Sequence, residues 1–450
     1  MAFLVDTNLN SIVPLNNTWS IIASGEQDHT RMRRNLSHAF SDKALRDQET
    51  LIQSYVDLLI QRLGEQAAQG KNVDIMRWYN YTTFDVISDL SFGEPLYCLR
   101  DSKYHKWVNL TFASVKALGL TAAKAKYPIF AYYDKAKSLF TDTEAPMRAR
   151  KEFFDLAHDK VERRLEKGAA SPRPDFFNAI LKNQDAEAKA LSRAEMDSNA
   201  VLFLVAGSET TATILTGATY LLLKHPAAYA NLVHEIRTTF SSHAAITMEA
   251  VNKLDYMIAC LQEGLRYYPP VPTGFPRVVP AGGGTISGHY IPGGTSVYVS
   301  QHATNHSARN FRDPEAYVPE RWTGDERYEG DRREVVNPFS FGPRNCLGKK
   351  YVFLSPFSFL RPVTVVHSLT HSFTLLRFVS YSPNGRSMAN NPNHSLAYAE
   401  MRLIMAKLLF NFDLELVHPD HEWTKEQKVF TLWEKPSLMV RLKPVVQPVQ

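Results

Sequence analysis

The chain of 450 residues is 44% hydrophobic and 22% charged, which gives ample material for a large buried core and excludes a disordered or fibrous protein. Its 51 basic and 46 acidic residues leave a net charge of +5 without blocks of like charge, which argues against a nucleic-acid partner. Three cysteines, Cys98, Cys260 and Cys346, are too few and too scattered for a disulfide framework and fit a reducing, intracellular setting.

Met1-Ala2-Phe3-Leu4-Val5 runs directly into Asp6, so the start predicts neither a secretory apolar stretch nor a transmembrane segment; contact with a membrane surface stays open. Helical periodicity then dominates to about residue 270. Residues 28–63 read as two amphipathic helices, and Asp74–Phe92 as a third that stops at Gly93 and Pro95. Lys151–Lys167 is charged and helical, and Ala169-Ala170-Ser171-Pro172-Arg173-Pro174 is a surface linker. Ser192-Arg193-Ala194-Glu195 is a capping box. The proline-free run from Arg193 to Lys224 makes a helix of roughly 48 Å. Residues 252–268 form one more helix, ended by Pro269-Pro270. Strands are expected over Arg277–Val279 and Thr285–Ser300, with Pro292-Gly293-Gly294 as the turn.

Phe339-Ser340-Phe341-Gly342-Pro343-Arg344-Asn345-Cys346-Leu347-Gly348 is the most specific motif. A thiolate here suits a haem iron, because such a ligand pushes electron density toward bound oxygen. Gly342 and Gly348 would let the backbone lie against a flat macrocycle, Arg344 would meet a propionate, and Phe339 would keep water from the sulfur. Ala206-Gly207-Ser208-Glu209-Thr210-Thr211 is poor helix material inside the long helix, a local irregularity of the kind found at functional sites. Gly207 is expected to open a groove beside the metal, Thr210 to bond dioxygen and Glu209 to relay protons. Glu263 and Arg266 share a helix face at i, i+3, ordinarily a weak surface pair.

These motifs resemble the cytochrome P-450 superfamily: the haem loop F-x-x-G-x-R-x-C-x-G, the oxygen-activation motif [AG]-G-x-[DE]-T-[ST] and the E-x-x-R helix, in the family's order. The resemblance implies a mainly α fold with a small β-sheet region, a triangular helical body holding haem b (heme b, iron protoporphyrin IX) on Cys346. It implies a structural triad of Glu263 and Arg266 with Arg321 of Pro319-Glu320-Arg321-Trp322. His29 and Arg33 match the W-x-x-x-R helix, with histidine replacing tryptophan; with Arg277 and Arg344 they are the implied propionate partners. Leu202, Phe203 and Phe275 are candidate pocket residues, with core packing the default. The implied reaction inserts one oxygen atom of O2 into a lipophilic substrate, with electrons from an NADPH-dependent reductase. Lys349 and Lys350 could offer that donor a basic face. Asp28-His29, Ser37-His38-Ala39-Phe40-Ser41 and Arg77-Trp78-Tyr79-Asn80 are similar to filamentous-fungal secondary-metabolite members of the trichothecene C-15 hydroxylase type, relatives usually anchored at the endoplasmic reticulum.

Two departures from the family pattern shape the expected organisation. The family carries about a hundred residues before the helix near Asp28, including two strands of the small sheet, so 1–27 reads as an atypical stub and the 285–300 hairpin is expected to keep an unpaired edge. Second, Leu396-Ala397-Tyr398-Ala399-Glu400-Met401-Arg402 would fit directly behind Lys349. Tyr351–Ser395 between them contains no Asp, Glu or Lys. The division expected is therefore 28–349 as monooxygenase domain, 350–395 as an insertion or translated intron, and 396–450 as the domain's C-terminal part. A non-catalytic haem-binding remnant and a reductase-independent isomerase or peroxygenase are the alternative classes.

Overall fold

Short polar side chains and glycine set the helix ends. The computed structural model describes residues 4–5, 15–127, 129–130, 132, 145–168, 175–184, 190–349 and 395–445. β1 (Leu4–Val5) precedes α1 (Glu26–Leu36), α2 (Asp42–Ala68), β2 (Val73–Asp74), α3 (Ile75–Phe92), α4 (Cys98–Asp101), α5 (Lys106–Lys126), α6 (Ala145–Glu166) and α7 (Phe176–Lys182). Then come α8 (Arg193–Lys224), α9 (Pro226–Thr239), α10 (Asp255–Tyr267), β3 (Arg277–Val278), β4 (Gly284–Ile286), β5 (His289–Ile291), β6 (Ser296–Val297) and α11 (Gln301–Asn305). α12 (Leu396–Asn411), β7 (Phe412–Leu416), β8 (Lys428–Phe430), β9 (Leu432–Glu434) and β10 (Met439–Pro444) follow. The expected linker at 169–174 and the segment 350–394 lie outside the described residues.

Ser41 Oγ accepts from the Ala44 amide at 3.2 Å to start α2, and Asp175 caps α7 through the Asn178 amide at 2.9 Å. Gly93, at φ +67°, ends α3 in the left-handed region. The capping box of α8 forms in full, Ser192 and Glu195 each accepting the other's amide. α8 is apolar enough to cross a membrane by composition, yet 67% of its most apolar stretch is buried within the molecule. It is the central helix of the body, flanked by α3, α6, α10 and α12.

Gly207 has a different role from the one its motif suggests. A Cβ built there would lie 2.5 Å from Cδ1 and 2.6 Å from Cγ1 of Ile87, so this glycine lets α8 close onto α3 and does not open a groove. Phe203, a candidate pocket residue, is core: its ring packs 5.9 Å from Phe40 and 5.5 Å from Phe176.

Four small antiparallel sheets sit at the edge of the helices. β1-β3-β6 and β2-β10-β7 have three strands each, and β4-β5 and β8-β9 are two-stranded. The region 285–300 has the expected turn at Pro292–Gly294 and one more that was not expected. Ser287 and Gly288 both take positive φ, +51° and +84°, the two-residue hairpin turn that matches strand twist, and the Pro292–Gly294 turn separates β5 from β6. The edge expected to be unpaired is found so among the described residues, since β4–β5 is a two-stranded hairpin and β6 pairs with β3 alone; β3 in turn pairs with β1, Val5 opposite Arg277. Within the expected stub, Asn16 Nδ2 donates to Ala194 O at 2.8 Å and the Ile21 amide donates to Asn199 Oδ1 at 2.9 Å, fixing residues 16–21 to the first turns of α8.

Gly207→Val should destabilise the chain by about 1–3 kcal/mol through overpacking. Urea unfolding reads this as a lower midpoint at unchanged m, and Ile87→Ala in the Gly207→Val background should restore part of it.

Candidate active site

The segment that delivers Cys346 has little regular structure, so something else must hold it. Glu263 on α10 does so, with Arg266 and Arg321; all three side chains are fully buried. Glu263 accepts from Arg266 Nε and Nη2 at 2.9 and 2.8 Å, Arg321 Nε at 3.1 Å, Val318 N at 2.9 Å and Trp322 Nε1 at 2.9 Å. Arg266 also donates to the carbonyls of Asn305, Pro314 and Ala316, and Arg321 to the Asp313 carbonyl and to Asp331. Every charge is hydrogen-bonded, the condition under which buried ions are tolerated. The structure thus brings the sequence-identified trio together and adds Asp331 and Trp322.

Downstream, the chain turns at Ser340 (φ +61°) and Gly342 (φ +83°), and the Cys346 amide donates to Phe339 O at 2.9 Å, closing the loop. Gly342 serves this turn through its φ; a Cβ on Gly348 would lie 3.5 Å from the Cys346 sulfur, in ordinary contact. Phe339 stands 5.2 Å from the Tyr398 ring of α12 and packs against the core. Arg33 of α1 clamps the loop, donating to Asn345 O at 2.7 Å and to Asn345 Oδ1. Ser395, just before α12, bonds Gly348 O, so the chain on either side of 350–394 meets at one point.

Burial by surrounding protein pushes the Cys346 thiol pKa up, while the N–H groups of Gly348 and Lys349 and the charges of Arg33 and Lys349 pull it down. Solvent nevertheless reaches the residue.

His29, Arg33, Arg277 and Arg344 converge near this loop. Burial and then the charges of Arg344, Arg33 and Arg277 hold His29 down at about 4, so it is neutral at pH 7. Arg344 Nη2 donates to Ser24 O at 2.9 Å, whereas its Nη1 is buried without a hydrogen-bond partner. Arg277 reaches only the Pro276 carbonyl, at 3.2 Å. Among the described residues, neither Arg277 nor Arg344 pairs with a carboxylate, and Glu26 is the one acid whose charge Arg344 feels. Such a cluster is complementary to a dianion.

On α8, Thr210 Oγ1 donates to Ala206 O at 2.7 Å, and both residues are solvent-accessible although the helix around them is buried. Next to them, the buried Thr211 bonds Glu400 of α12, whose carboxyl burial raises to about 8. Glu400 lies about 6 Å along the α12 axis from its start at the cysteine loop. Glu209 points elsewhere. Its Oε1 receives Lys435 Nζ and the Thr213 hydroxyl, and it shares no hydrogen bond with Thr210. Sequence reading missed Lys435, Asn345 and Glu400. Only Asn345, wedged between Arg344 and Cys346, had a positional signal; the other two take part through folding alone.

A sequence model described as Cytochrome P450 matches residues 6–351. The chain is 46% identical over 434 residues to cytochrome P450 monooxygenase lcsI of Purpureocillium lilacinum, covering 96% of this chain and 74% of that protein. It is 38% identical to averantin hydroxylase of Dothistroma septosporum, over 95% of this chain and 72% of the relative, and 38% identical to cytochrome P450 monooxygenase FUM2 of Gibberella moniliformis, over 92% and 78%. This chain belongs to the cytochrome P450 family. It is therefore a haem-dependent monooxygenase of mainly α fold, an oxidoreductase that uses O2 and a redox partner. The residues present fit the haem: an accessible thiol, with the unsatisfied guanidinium nitrogen of Arg344 and the charge of Arg277 beside it for the porphyrin's two carboxylates.

His29 gives a pH test. Its proton binds the unfolded chain near 6.5 but the folded one only near 4, so the stability it contributes is full above 6.5 and is lost as pH falls through that window. In haem-free chain, the urea midpoint of His29→Phe relative to the parent should rise between pH 6.5 and 4. A parallel pair of profiles would contradict the assignment.

Proposed function

We propose that this P450 takes its iron on the Cys346 sulfur and oxidises a small lipophilic molecule of fungal secondary metabolism. The observation that carries the ligand assignment is the pairing of an accessible thiol with the converging charges of Arg33, Arg277 and Arg344 around His29, where among the described residues neither Arg277 nor Arg344 pairs with a carboxylate. Arg277 and Arg344 would hold the propionates, Arg33 would hold both the loop and a propionate, and neutral His29 would donate one hydrogen bond. When bound, the haem supplies dioxygen activation and transfer of one oxygen atom to a C–H bond or alkene.

The chain's own groups do the rest. The Gly348 and Lys349 amides stabilise charge on the sulfur, and Phe339 and the start of α12 limit water around it. Thr210, on the accessible face of α8, would offer its hydroxyl as a hydrogen-bond donor to dioxygen, and Glu209 would pass protons inward through water. Electrons would come from an NADPH-dependent reductase, for which Lys349 lies beside the loop. Exposed Tyr127, Ile129 and Phe130 after α5 suit contact with a membrane surface in an intracellular setting. The relative that hydroxylates averantin supports a lipophilic substrate class.

The carbon monoxide difference spectrum of the reduced chain tests the ligand. A strongly red-shifted Soret band is expected and should vanish in Cys346→Ser; persistence of the band would sink the assignment.

Residues 350–395 we treat as an insertion. The Ser395–Gly348 contact and a family match that stops at residue 351 both support this. Joining Lys349 to Leu396 should preserve that spectrum and raise the folded yield, and loss of haem binding would show the segment to be an integral part of the domain.

A further inference from the structure

The buried acid of α8 has a partner from the far end of the chain. Lys435 follows β9, and its side chain is 3% exposed, that of Glu209 6%. The ammonium donates to Glu209 Oε1, to Thr213 Oγ1 at 2.7 Å and to the Trp433 carbonyl at 3.4 Å, which uses its three hydrogens. Glu209 Oε2 is buried with no hydrogen-bond partner. One carboxylate oxygen is thus tied down, and the other is the only atom of the acid left to exchange a proton.

Lys435 is itself held in place. Trp433 stacks on Tyr268 with ring centroids 5.0 Å apart at 16°, and its indole N–H donates to Pro269 O at 2.8 Å. Glu434, between Trp433 and Lys435, pairs with Lys116 of α5 at 2.5 Å. The β8–β9 hairpin is therefore fixed to α5 and to the end of α10, and it presents Lys435 to α8 from a rigid mount.

We propose that Lys435 is the positioning residue for Glu209: it orients the carboxylate by Oε1, so that protons enter and leave through Oε2 alone. A proton taken by Oε2 from water is passed on toward Thr210, and the carboxylate returns to its paired state. This rests on the monooxygenase reading of Glu209. Among the described residues, Tyr104 and Tyr268 also feel the charge of Glu209, and burial raises both far enough that they stay neutral phenols.

Urea unfolding of the full chain at pH 5 to 9 tests the pair without any turnover. Lys435→Met leaves a buried carboxylate without its cation, which takes up a proton on folding, so its stability should fall with rising pH more steeply than the parent's. Adding Glu209→Gln should abolish that extra slope. With reductase and NADPH, Glu209→Gln should slow oxygen consumption on the order of 10²-fold, Lys435→Met should come within tenfold of it, and Lys435→Arg should recover most of the rate. Additive midpoints in the two substitutions would overturn the pairing, even with the thiolate spectrum intact. Coupled stability with unchanged oxygen consumption and pH profile in Lys435→Met would make the pair structural only and overturn the positioning role.

Discussion

One buried carboxylate bears the arrangement of this molecule. Glu263 collects five hydrogen bonds from α10, from the backbone at Val318 and from the short helical turn carrying Arg321 and Trp322. Between α11 and α12 the described chain has no α-helix or strand of its own, so no ladder of backbone hydrogen bonds fixes it. Its path is fixed by side-chain charge. An ion cluster of this kind gives little net stability, because desolvation offsets most of the attraction, but breaking it leaves uncompensated charge in the interior. The consequence is that residues 313–331 have essentially one allowed position, and the cysteine loop departs from it.

α8 joins the other half of the site to this frame. Its apolar and small residues let α3, α6, α10 and α12 pack around it, and the Thr210–Thr211 turn faces two ways. Thr211 reaches Glu400 on the helix that follows the cysteine loop, while Thr210 remains accessible. α12 is thus a common mount for the oxygen-side helix and the sulfur-side loop. The basic cluster depends on three separated segments, with α1 giving His29 and Arg33, β3 giving Arg277 and the loop giving Arg344. Only the assembled fold makes it a site.

Much of this was legible in the sequence where a local signal existed. The capping box and the absence of proline placed α8 to the residue, and the ligand loop was readable because each of its fixed residues has a separate physical job. The Glu263–Arg266–Arg321 trio was legible only through resemblance, since an i, i+3 ion pair carries no mark of burial. Other features left less trace. Ser287-Gly288 is a turn dipeptide hidden in a stretch rich in strand formers, and the reading passed over it. Gly207 looked like space for a ligand because the sequence does not say which face of α8 meets Ile87. Lys435 and Glu209 are 226 residues apart, and no periodicity links them.

The contact between Ser395 and Gly348 also bears on assembly order. These residues are separated by 47 positions, and bringing together two points that far apart on an unfolded chain costs roughly 3 kcal/mol of chain entropy beyond a constant. Nothing in the immediate contact repays that sum, so α12 is held chiefly by its burial against α2, α8 and α9. The cysteine loop then gains its second wall only after a long-range docking event. Nascent chains would pass through a stage in which the thiol is flanked and reachable but not yet backed by a helix.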